Sequence, residues 1–364
     1  MAGYSTRSCP FCKETKRFRN DAKSCGCWKN VLSGQPAGEP IDLQVKKILL
    51  GKSVTLTDLA NKLETSPKLA SEAVARLKAA GHNVDIQYDQ LTINKEIQAG
   101  GSVVVDSADF FDGTEFKFGA LGDTHLYSKY SRLDVLEALY DIYEQEGIQT
   151  VYHTGNAVDG EFRFNKFDLV GPSGIGPQLD YFAKKYPQRD GITTYFVTGD
   201  DHEGWWINQE GVNIGRMMQD AAEAEGRTDL KFIGHVETDV VLKAKKGQAV
   251  MRIMHPGGGS AYATSYTAQK IVESFQGGEK PHILLIGHYH KFEYGYPREV
   301  HVVQTGCTQD QTPFMRKNKI QAHVGGTIIR FHQANTGEIN RFKVEWIPFY
   351  DRGFYEKGDK YKRW

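Results

Sequence analysis

Histidine recurs in five short stretches of the sequence, and three of these stretches also carry aspartate or asparagine. The stretches are G-D-T-H at 122–125, H-T-G-N-A-V-D-G at 153–160, T-G-D-D-H-E at 198–203, H-P-G-G-G at 255–259 and G-H-Y-H at 287–290. Imidazole and carboxylate ligands without cysteine suit Mn, Fe, Zn or Ni. The sequence therefore predicts a transition-metal site, provided that the fold brings these stretches together.

An apolar run precedes each stretch, and such runs are typical of buried strands. The runs lie at 116–121, 148–152, 193–197, 249–254 and 283–286, with a further one at 300–303 and an amphipathic helix at about 132–146. Short strands that alternate with helices favour an α/β domain, layered as helix, sheet, sheet and helix, over about 116–350. Because ligands collect beyond the carboxyl ends of strands, the polar stretches are expected at one edge of that domain.

The ordered set of motifs resembles the calcineurin-like metallophosphoesterase family. That family's pattern is D-x-H, then G-D-x-x-D, then G-N-H-D/E, then a lone histidine, then G-H-x-H. The resemblance covers about 116–350, and the G-D-D-H-E-G-W run at 199–205 is also similar to tailed-phage metallophosphoesterases. The resemblance to the metallophosphoesterase family implies an αββα sandwich, in which two mixed β-sheets lie between helices.

The resemblance also implies a ligand set, transferred residue by residue. Asp123, His125 and His290 would hold one divalent metal, and His255 and His288 would hold a second. Two such metals clamp a phosphoryl group, and metal-activated hydroxide attacks it in line. The expected cofactors are two divalent ions drawn from Mn, Fe, Zn and Ni.

Two positions depart from the family pattern. The metal-bridging aspartate of the family is Asn156 here, and the terminal asparagine of G-N-H-D/E is Asp201, after an extra Asp200. A neutral amide is a poor bridge between cations, so we expect Asp201, or Asp200, to supply the bridge, or else one metal to be weak. His202 occupies the position of the general acid that protonates the leaving oxygen. Loss of catalysis in a degenerate domain is the alternative.

Four of the five cysteines lie within the first 27 residues, as Cys9 and Cys12 followed by Cys25 and Cys27. Two thiolate pairs on short turns fit a tetrahedral structural zinc site, although a C-x-x-C alone can also be a redox motif. The surrounding segment, 1–34, has seven basic and two acidic residues, and hence a charge of +5. We therefore expect a basic zinc knuckle there.

Residues 41–97 predict three helices followed by a hairpin, the order of a winged helix-turn-helix. Ser66 and Pro67 mark the start of the helix in the recognition position, 67–80. Its cations are few, so a helical connector without a nucleic-acid role is the alternative. At the other end of the chain, 351–364 read as a basic aromatic tail.

Two further residues are candidates for substrate binding. Trp205 follows the proposed acid and can wall a pocket or stack a base, although aromatic residues there are commonly core. Arg163 lies in a stretch at 162–166 that alternates aromatic and basic residues, which is also the pattern of an ordinary half-buried strand.

Composition limits the classes of function. The 364 residues are 40% hydrophobic and 25% charged, which is typical of a folded globular protein. Because 45 basic residues balance 45 acidic ones, any nucleic-acid partner must be attracted by a local patch. No apolar stretch of membrane-spanning length and no secretory leader is evident, so no membrane partner and a cytoplasmic location are expected. The oligomeric state, including a homo-oligomer, stays open.

The favoured interpretation is a metal-dependent phosphoesterase that cleaves phosphodiester bonds in DNA, since basic zinc knuckles and winged helices commonly bind nucleic acid. One alternative is a phosphatase or cyclic-nucleotide phosphodiesterase with an N-terminal docking module. Another is a DNA-binding factor with an inert phosphoesterase scaffold. A fold alone does not select among these functions.

Overall fold

The computed structural model describes residues 4–8, 15–19, 40–94, 103–106, 115–161, 167–259, 261 and 263–350. The predicted zinc ligands Cys9, Cys12, Cys25 and Cys27, the candidate Arg163 and the tail at 351–364 lie outside these ranges. The chain divides into two compact units, one of 1–80 with 84–94 and the other of 81–83 with 95–364.

The helices and strands alternate along much of the chain. The helices are α1 (Ile41–Gly51), α2 (Leu56–Lys62), α3 (Pro67–Ala79), α4 (Leu133–Gln145), α5 (Ile175–Lys185), α6 (Trp205–Glu210), α7 (Ile214–Ala224), α8 (Thr264–Ser274) and α9 (Pro313–Lys317). The strands are β1 (Tyr4–Ser8), β2 (Thr15–Arg19), β3 (Val54–Thr55), β4 (Val84–Gln87), β5 (Gln90–Ile93), β6 (Val103–Asp106), β7 (Glu115–Leu121), β8 (Thr150–His153), β9 (Thr193–Thr198), β10 (Leu230–His235), β11 (Glu237–Lys243), β12 (Gln248–Met254), β13 (Ile283–Ile286), β14 (Phe292–Gly295), β15 (His301–Thr305), β16 (Val324–Gln333) and β17 (Ile339–Phe349).

The first unit contains α1, α2 and α3, followed by the β4–β5 hairpin. The hairpin joins β3 in a three-stranded sheet of order β3-β5-β4, and β1 pairs with β2 separately. Side-chain caps begin two of the helices: the Thr55 hydroxyl accepts from the Asp58 amide at 3.1 Å, and the Ser66 hydroxyl accepts from the Leu69 amide at 3.2 Å. Helix, helix, helix and hairpin therefore follow in the expected order. Their assignment as a DNA-binding winged helix stays a prediction.

The second unit contains two mixed six-stranded sheets. Their strand orders are β10-β9-β8-β7-β16-β17 and β14-β15-β13-β12-β11-β6. Neighbours from β7 to β10 run parallel, as do β12, β13 and β15. Residues 103–106 form β6 and pair in parallel with β11, because three successive valines suit an extended, half-buried strand.

Three buried apolar clusters show how the layers of this unit pack. The first joins the β7–β10 sheet to its helices, with Leu121 and Phe196 against Leu139 and Phe182. The second fills the space between the two sheets, and the third joins β13 and β15 to α8. The unit is therefore a helix, sheet, sheet and helix sandwich, as predicted. Within the described ranges, no helix is long and apolar enough to span a bilayer.

Candidate metal centre

The polar stretches meet at one edge of the sandwich, because each follows the carboxyl end of a strand. Loops after β7, β8 and β9 come from one sheet, and loops after β12 and β13 come from the other. The first two loops are joined through their backbones, since the Asp123 amide donates to the Gly155 carbonyl at 2.9 Å and the His125 amide donates to the Asn156 carbonyl at 3.0 Å.

The backbone of these loops is strained at the residues that carry the chemistry. Five of the candidate site residues have positive φ although they are not glycine, a conformation that costs about 1–3 kcal/mol and clusters at functional sites. They are Asp123 (49°), His125 (43°), Asn156 (53°), His288 (76°) and His290 (55°). Gly155 also has positive φ, and a Cβ there would lie 2.5 Å from His255 Nδ1. The fold thus maintains an unfavourable backbone in order to aim these side chains inward.

Asp123, His125 and His290 form the first group of candidate ligands, whose donor atoms all lie within 4.8 Å of one another. Asp123 Oδ1 lies 3.3 Å from His290 Nε2 and 3.7 Å from His125 Nε2. The two imidazole nitrogens are 3.2 Å apart. All three side chains are buried. Two ring nitrogens and a carboxylate oxygen that converge in this way can share one cation.

A carboxylate behind His125 sets the orientation of its ring. His125 Nδ1 lies 3.2 Å from Asp159 Oδ1 and donates to it, so Nε2 is the nitrogen that faces the site. Burial opposes the charged imidazole, but the contacts with Asp123 and Asp159 outweigh burial and raise the pKa of His125 to about 9. Burial likewise opposes ionisation of Asp123, yet nearby His290 and His255 hold its pKa well below its ordinary value.

Asp201, His255 and His288 form the second group, again with donor atoms within 4.8 Å. His255 Nε2 is 4.0 Å from Asp201 Oδ1, and His288 Nδ1 is 3.7 Å from Asp201 Oδ2. His255 Nδ1 donates to the Thr154 carbonyl at 2.7 Å, and His288 Nε2 donates to the Gly258 carbonyl at 2.6 Å. Each ring therefore has its remaining nitrogen available as a ligand.

The second group contacts the first through Asp123. Asp123 Oδ1 lies 4.0 Å from His255 Nε2, and Asp123 Oδ2 accepts from the His288 amide at 2.8 Å. Burial lowers the pKa of His255 to about 4, so this ring is neutral at physiological pH and keeps its lone pair. The two groups are consequently adjacent, and Asp123 contacts residues of both.

Asn156 lies between the carboxylates of the two groups. Its Nδ2 donates to Asp123 Oδ1 at 3.3 Å and to Asp201 Oδ1 at 3.5 Å. Half a turn of the amide exchanges nitrogen for oxygen, so the same side chain can offer Oδ1 to a cation. The amide thus lies between the two carboxylates and donates to both.

Unsatisfied polar atoms support a metal in this position. Asn156 Oδ1, His255 Nε2 and His290 Nδ1 are buried and have no hydrogen-bond partner among the described residues. Such atoms are rare in folded proteins, because leaving one unpaired costs about 1–3 kcal/mol. Of these atoms, His255 Nε2 is the nitrogen that faces the second ligand group, whereas His290 faces the first group through Nε2 and not through Nδ1. Asn156 lies between the two groups. The residues present therefore fit divalent cations.

His202 lies beside the first group, at the mouth of the site. Its Nδ1 donates to the Asp159 carbonyl at 2.8 Å, and its ring meets that of His125 edge to face at 4.3 Å. Proton exchange at His202 consequently falls to Nε2. Asp159, His125 and His202 also form a third group that can hold a metal, an arrangement that competes with an acid role for His202.

Asp200 and Glu203 hold the loop that carries Asp201. Asp200 is turned toward Asn208, whose Nδ2 donates to its carboxylate at 3.1 Å, so Asp201 rather than Asp200 joins the ligand group. Glu203 is buried and accepts from the Val158 amide at 3.0 Å and the Gly199 amide at 2.9 Å. Burial raises the pKa of Glu203 to about 7. The two hydrogen bonds that Glu203 accepts join the β9 loop to the β8 loop.

A cavity of about 320 Å³ opens onto these groups. Its lining residues are Ser128, Asn156, Asp159, Asp168, Asp201, His202, Gly258, Gly259, His288, Tyr289, His290, Gln309, Thr312, Phe314, Met315 and Ile320. Trp205 is not among them; it begins α6 and packs against the core beside the buried Trp206. The contact between Trp205 and substrate stays a prediction.

Sequence reasoning assigned no role to Asp159, Glu203 or the carbonyls of Thr154 and Gly258. Asp159 was visible as the second aspartate of G-D-x-x-D, but its contact with His125 spans 34 positions. The carbonyl acceptors leave no signal, because every residue has one. A polar residue two or three positions beyond a ligand motif is the signal that identifies Asp159.

No protein-family model and no curated protein sequence matches the chain. Among solved structures, the chain is similar to an archaeal phosphodiesterase, with 12% identity and a TM-score of 0.33 over 64% of this chain and 100% of that one. A predicted phosphoesterase from Streptococcus pneumoniae has 10% identity and a TM-score of 0.30, over 64% and 98% of the two chains. Vps29 from Entamoeba histolytica, solved with zinc, has 16% identity and a TM-score of 0.29, over 64% and 99%. At these scores, the function proposed below rests on the site itself.

Proposed function

We propose that this protein is a metal-dependent phosphodiesterase that cleaves DNA. One observation carries the proposal: two groups of candidate ligands adjoin at Asp123 and open onto a single cavity. Asp123, His125 and His290 would hold one divalent ion, and Asp201, His255 and His288 the other. Ions bound there would supply Lewis acidity to a phosphoryl oxygen and would activate water as the nucleophile.

The chain's own residues supply the remaining steps. Asp159 and the carbonyls of Thr154 and Gly258 fix the tautomers of the ligand imidazoles. His202 Nε2 delivers a proton to the leaving oxygen, while Nδ1 stays donated to the backbone. Asn156 keeps Asp123 and Asp201 at a fixed separation. Together these contacts organise the site before substrate enters.

DNA is the proposed substrate because of what accompanies the site in the chain. The segment 1–34 carries a charge of +5, and α3 presents Lys68 and Lys78 on an exposed surface. Arg76 of the same helix is engaged, since its guanidinium donates to Asp42 at 2.8 Å and 3.0 Å. We propose that the zinc knuckle and winged helix bring the phosphodiesterase site to DNA.

A substrate panel tests this function. The full chain is stripped with EDTA, reloaded with Mn²⁺, and assayed on bis(4-nitrophenyl) phosphate, labelled DNA, cyclic nucleotides and phosphopeptides. We expect Mn²⁺-dependent cleavage of the aryl diester and of DNA. Cleavage of cyclic nucleotides or phosphopeptides but not DNA would favour a docking role for the N-terminal segments. No cleavage of any substrate would indicate an inert scaffold.

The exchanged residues at 156 and 201 should be energetically coupled. Asn156→Asp places a third carboxylate within about 3.5 Å of Asp123 and Asp201, which should destabilise the metal-free protein by like-charge repulsion. Asp201→Asn removes an anionic ligand and should weaken the second metal. The double variant again has two carboxylates. We expect its turnover and its metal affinity to exceed the sum of the single effects by a coupling free energy of about 0.5–3 kcal/mol.

Metal content, turnover and the melting temperature in EDTA are measured for all four proteins of this cycle. Asp200→Asn serves as the matched control, because Asp200 faces Asn208 rather than the ligands. Additive single effects would refute the coupling. Loss of metal at Asp200 with none at Asp201 would place the ligand one residue earlier.

A further inference from the structure

Part of the cavity lining is apolar, in contrast to the polar residues of the candidate ligand groups. Phe314 and Met315 of α9 and Ile320 just beyond it line the same 320 Å³ space as His202 and His288. Phe314 is 56% exposed, which is high for a large aromatic ring. Burying such a ring against a ligand removes apolar surface from water and is favourable.

Hydrogen bonds hold the segment 311–320 in a fixed shape. The Thr312 hydroxyl caps α9 by accepting from the Met315 amide at 3.2 Å. Gln311 Nε2 donates to the Ile320 carbonyl at 2.6 Å, and the Ile320 amide donates to the Met315 carbonyl at 2.9 Å. A ring carried by a closed turn of this kind loses little entropy on binding.

Three cations share this segment. Arg316, Lys317 and Lys319 are all exposed, and they follow Phe314 within five positions. Proteins bind single-stranded nucleic acid with aromatic rings that stack on bases and with nearby cations that attract phosphates, and Phe314 with its three cations offers both features. A cavity of this volume lies at the lower end of the ~300–1,000 Å³ range of small-ligand pockets, which suits one nucleotide of a longer chain.

We infer that the segment 311–320 is a nucleobase-stacking platform. A base next to the scissile phosphate stacks on Phe314, while Arg316, Lys317 and Lys319 attract the phosphates of neighbouring nucleotides. The platform would make a single-stranded or frayed DNA segment the substrate of the site, because a base inside a duplex is already stacked on its neighbours on both faces. This inference rests on the proposed phosphodiesterase function and names its substrate class.

Fluorescence of 2-aminopurine tests the platform without relying on turnover. The probe is a short single-stranded DNA with 2-aminopurine beside a phosphorothioate linkage, titrated with the Mn²⁺-loaded full chain. We expect stacking to quench the probe in the wild type and in Phe314→Tyr. Phe314→Ala should lose the quenching and bind about tenfold more weakly, since stacking contributes about 1–3 kcal/mol per base.

A matched control and a salt titration complete the test. Tyr296→Ala removes a ring of similar exposure, 54%, that does not line the cavity, and it should leave quenching unchanged. Replacing Arg316, Lys317 and Lys319 by alanine should reduce the salt dependence of binding by up to about 2 units of slope, at about 0.7 per phosphate contact.

Each outcome separates the platform from the enzyme. Unchanged quenching in Phe314→Ala, or Phe314-dependent binding of a phosphotyrosine peptide but not of DNA, would overturn the platform. Hydrolysis of bis(4-nitrophenyl) phosphate is measured in the same preparations. Hydrolysis together with unchanged quenching would contradict the platform but not the phosphodiesterase. Absence of hydrolysis together with Phe314-dependent quenching would contradict the phosphodiesterase but not the platform.

Discussion

Asp123→Asn should abolish both metal sites and lower phosphodiester turnover by at least about 10⁴-fold. Asp123 Oδ1 lies within 4.0 Å of His125, His255 and His290, so one substitution removes an anion that belongs to the first group and also contacts the second. Each Lewis acid contributes several kcal/mol, and every 1.36 kcal/mol is tenfold in rate. The amide keeps the shape of the side chain, so loss of folding should not cause the effect.

Metal content by mass spectrometry, turnover on an aryl diester and the melting temperature check this expectation. Asp168→Asn is the matched control, because Asp168 lines the same cavity but belongs to neither ligand group. It should retain both metals and most activity. An Asp123→Asn protein that keeps two metals and its turnover would contradict the assignment of Asp123.

His202→Ala should lower turnover by about 10²–10⁴-fold while both metals stay bound, the usual contribution of a general acid. The loss should be largest for DNA, whose leaving alkoxide needs a proton, and smallest for a nitrophenyl diester, whose leaving group does not. His288→Ala should instead lose metal, because its Nδ1 faces Asp201 in the second group.

Metal occupancy separates the roles of these two histidines. Equal metal loss in His202→Ala and His288→Ala would show that His202 is a ligand, as the third group with His125 and Asp159 allows. A uniform fall in rate for DNA and for the nitrophenyl diester would argue against proton transfer to the leaving group.

The site-bearing strands were predictable because each is an apolar run followed at once by polar residues. β7, β8, β9, β12 and β13 all follow this rule, and their parallel neighbours carry the loops to one edge. β17 gives a weaker signal, because most of its residues are only half-buried or exposed at a sheet edge. A strand that is buried on both faces is a nearly continuous apolar run, which the sequence shows directly. An edge strand that is partly exposed lacks such a run.

The residue types that converge at the candidate site were likewise predictable from the motifs, but the contacts between them were not. Motif order alone brought Asp201 and His255 together, although 54 positions separate them and their closest donor atoms lie 4.0 Å apart. The placement of Asn156 between two carboxylates depends on loop conformation, with positive φ at a non-glycine residue. Propensity disfavours that conformation, so it arises only when surrounding contacts impose it.

Anomalous diffraction from crystals soaked in Mn²⁺ is the measurement that tests the central claim most directly. Two peaks are expected, one among Asp123, His125 and His290 and the other among Asp201, His255 and His288. The Asn156 oxygen should face the space between the peaks. A single peak held by His125, Asp159 and His202, or no peak at any of these residues, would contradict the two-metal phosphodiesterase.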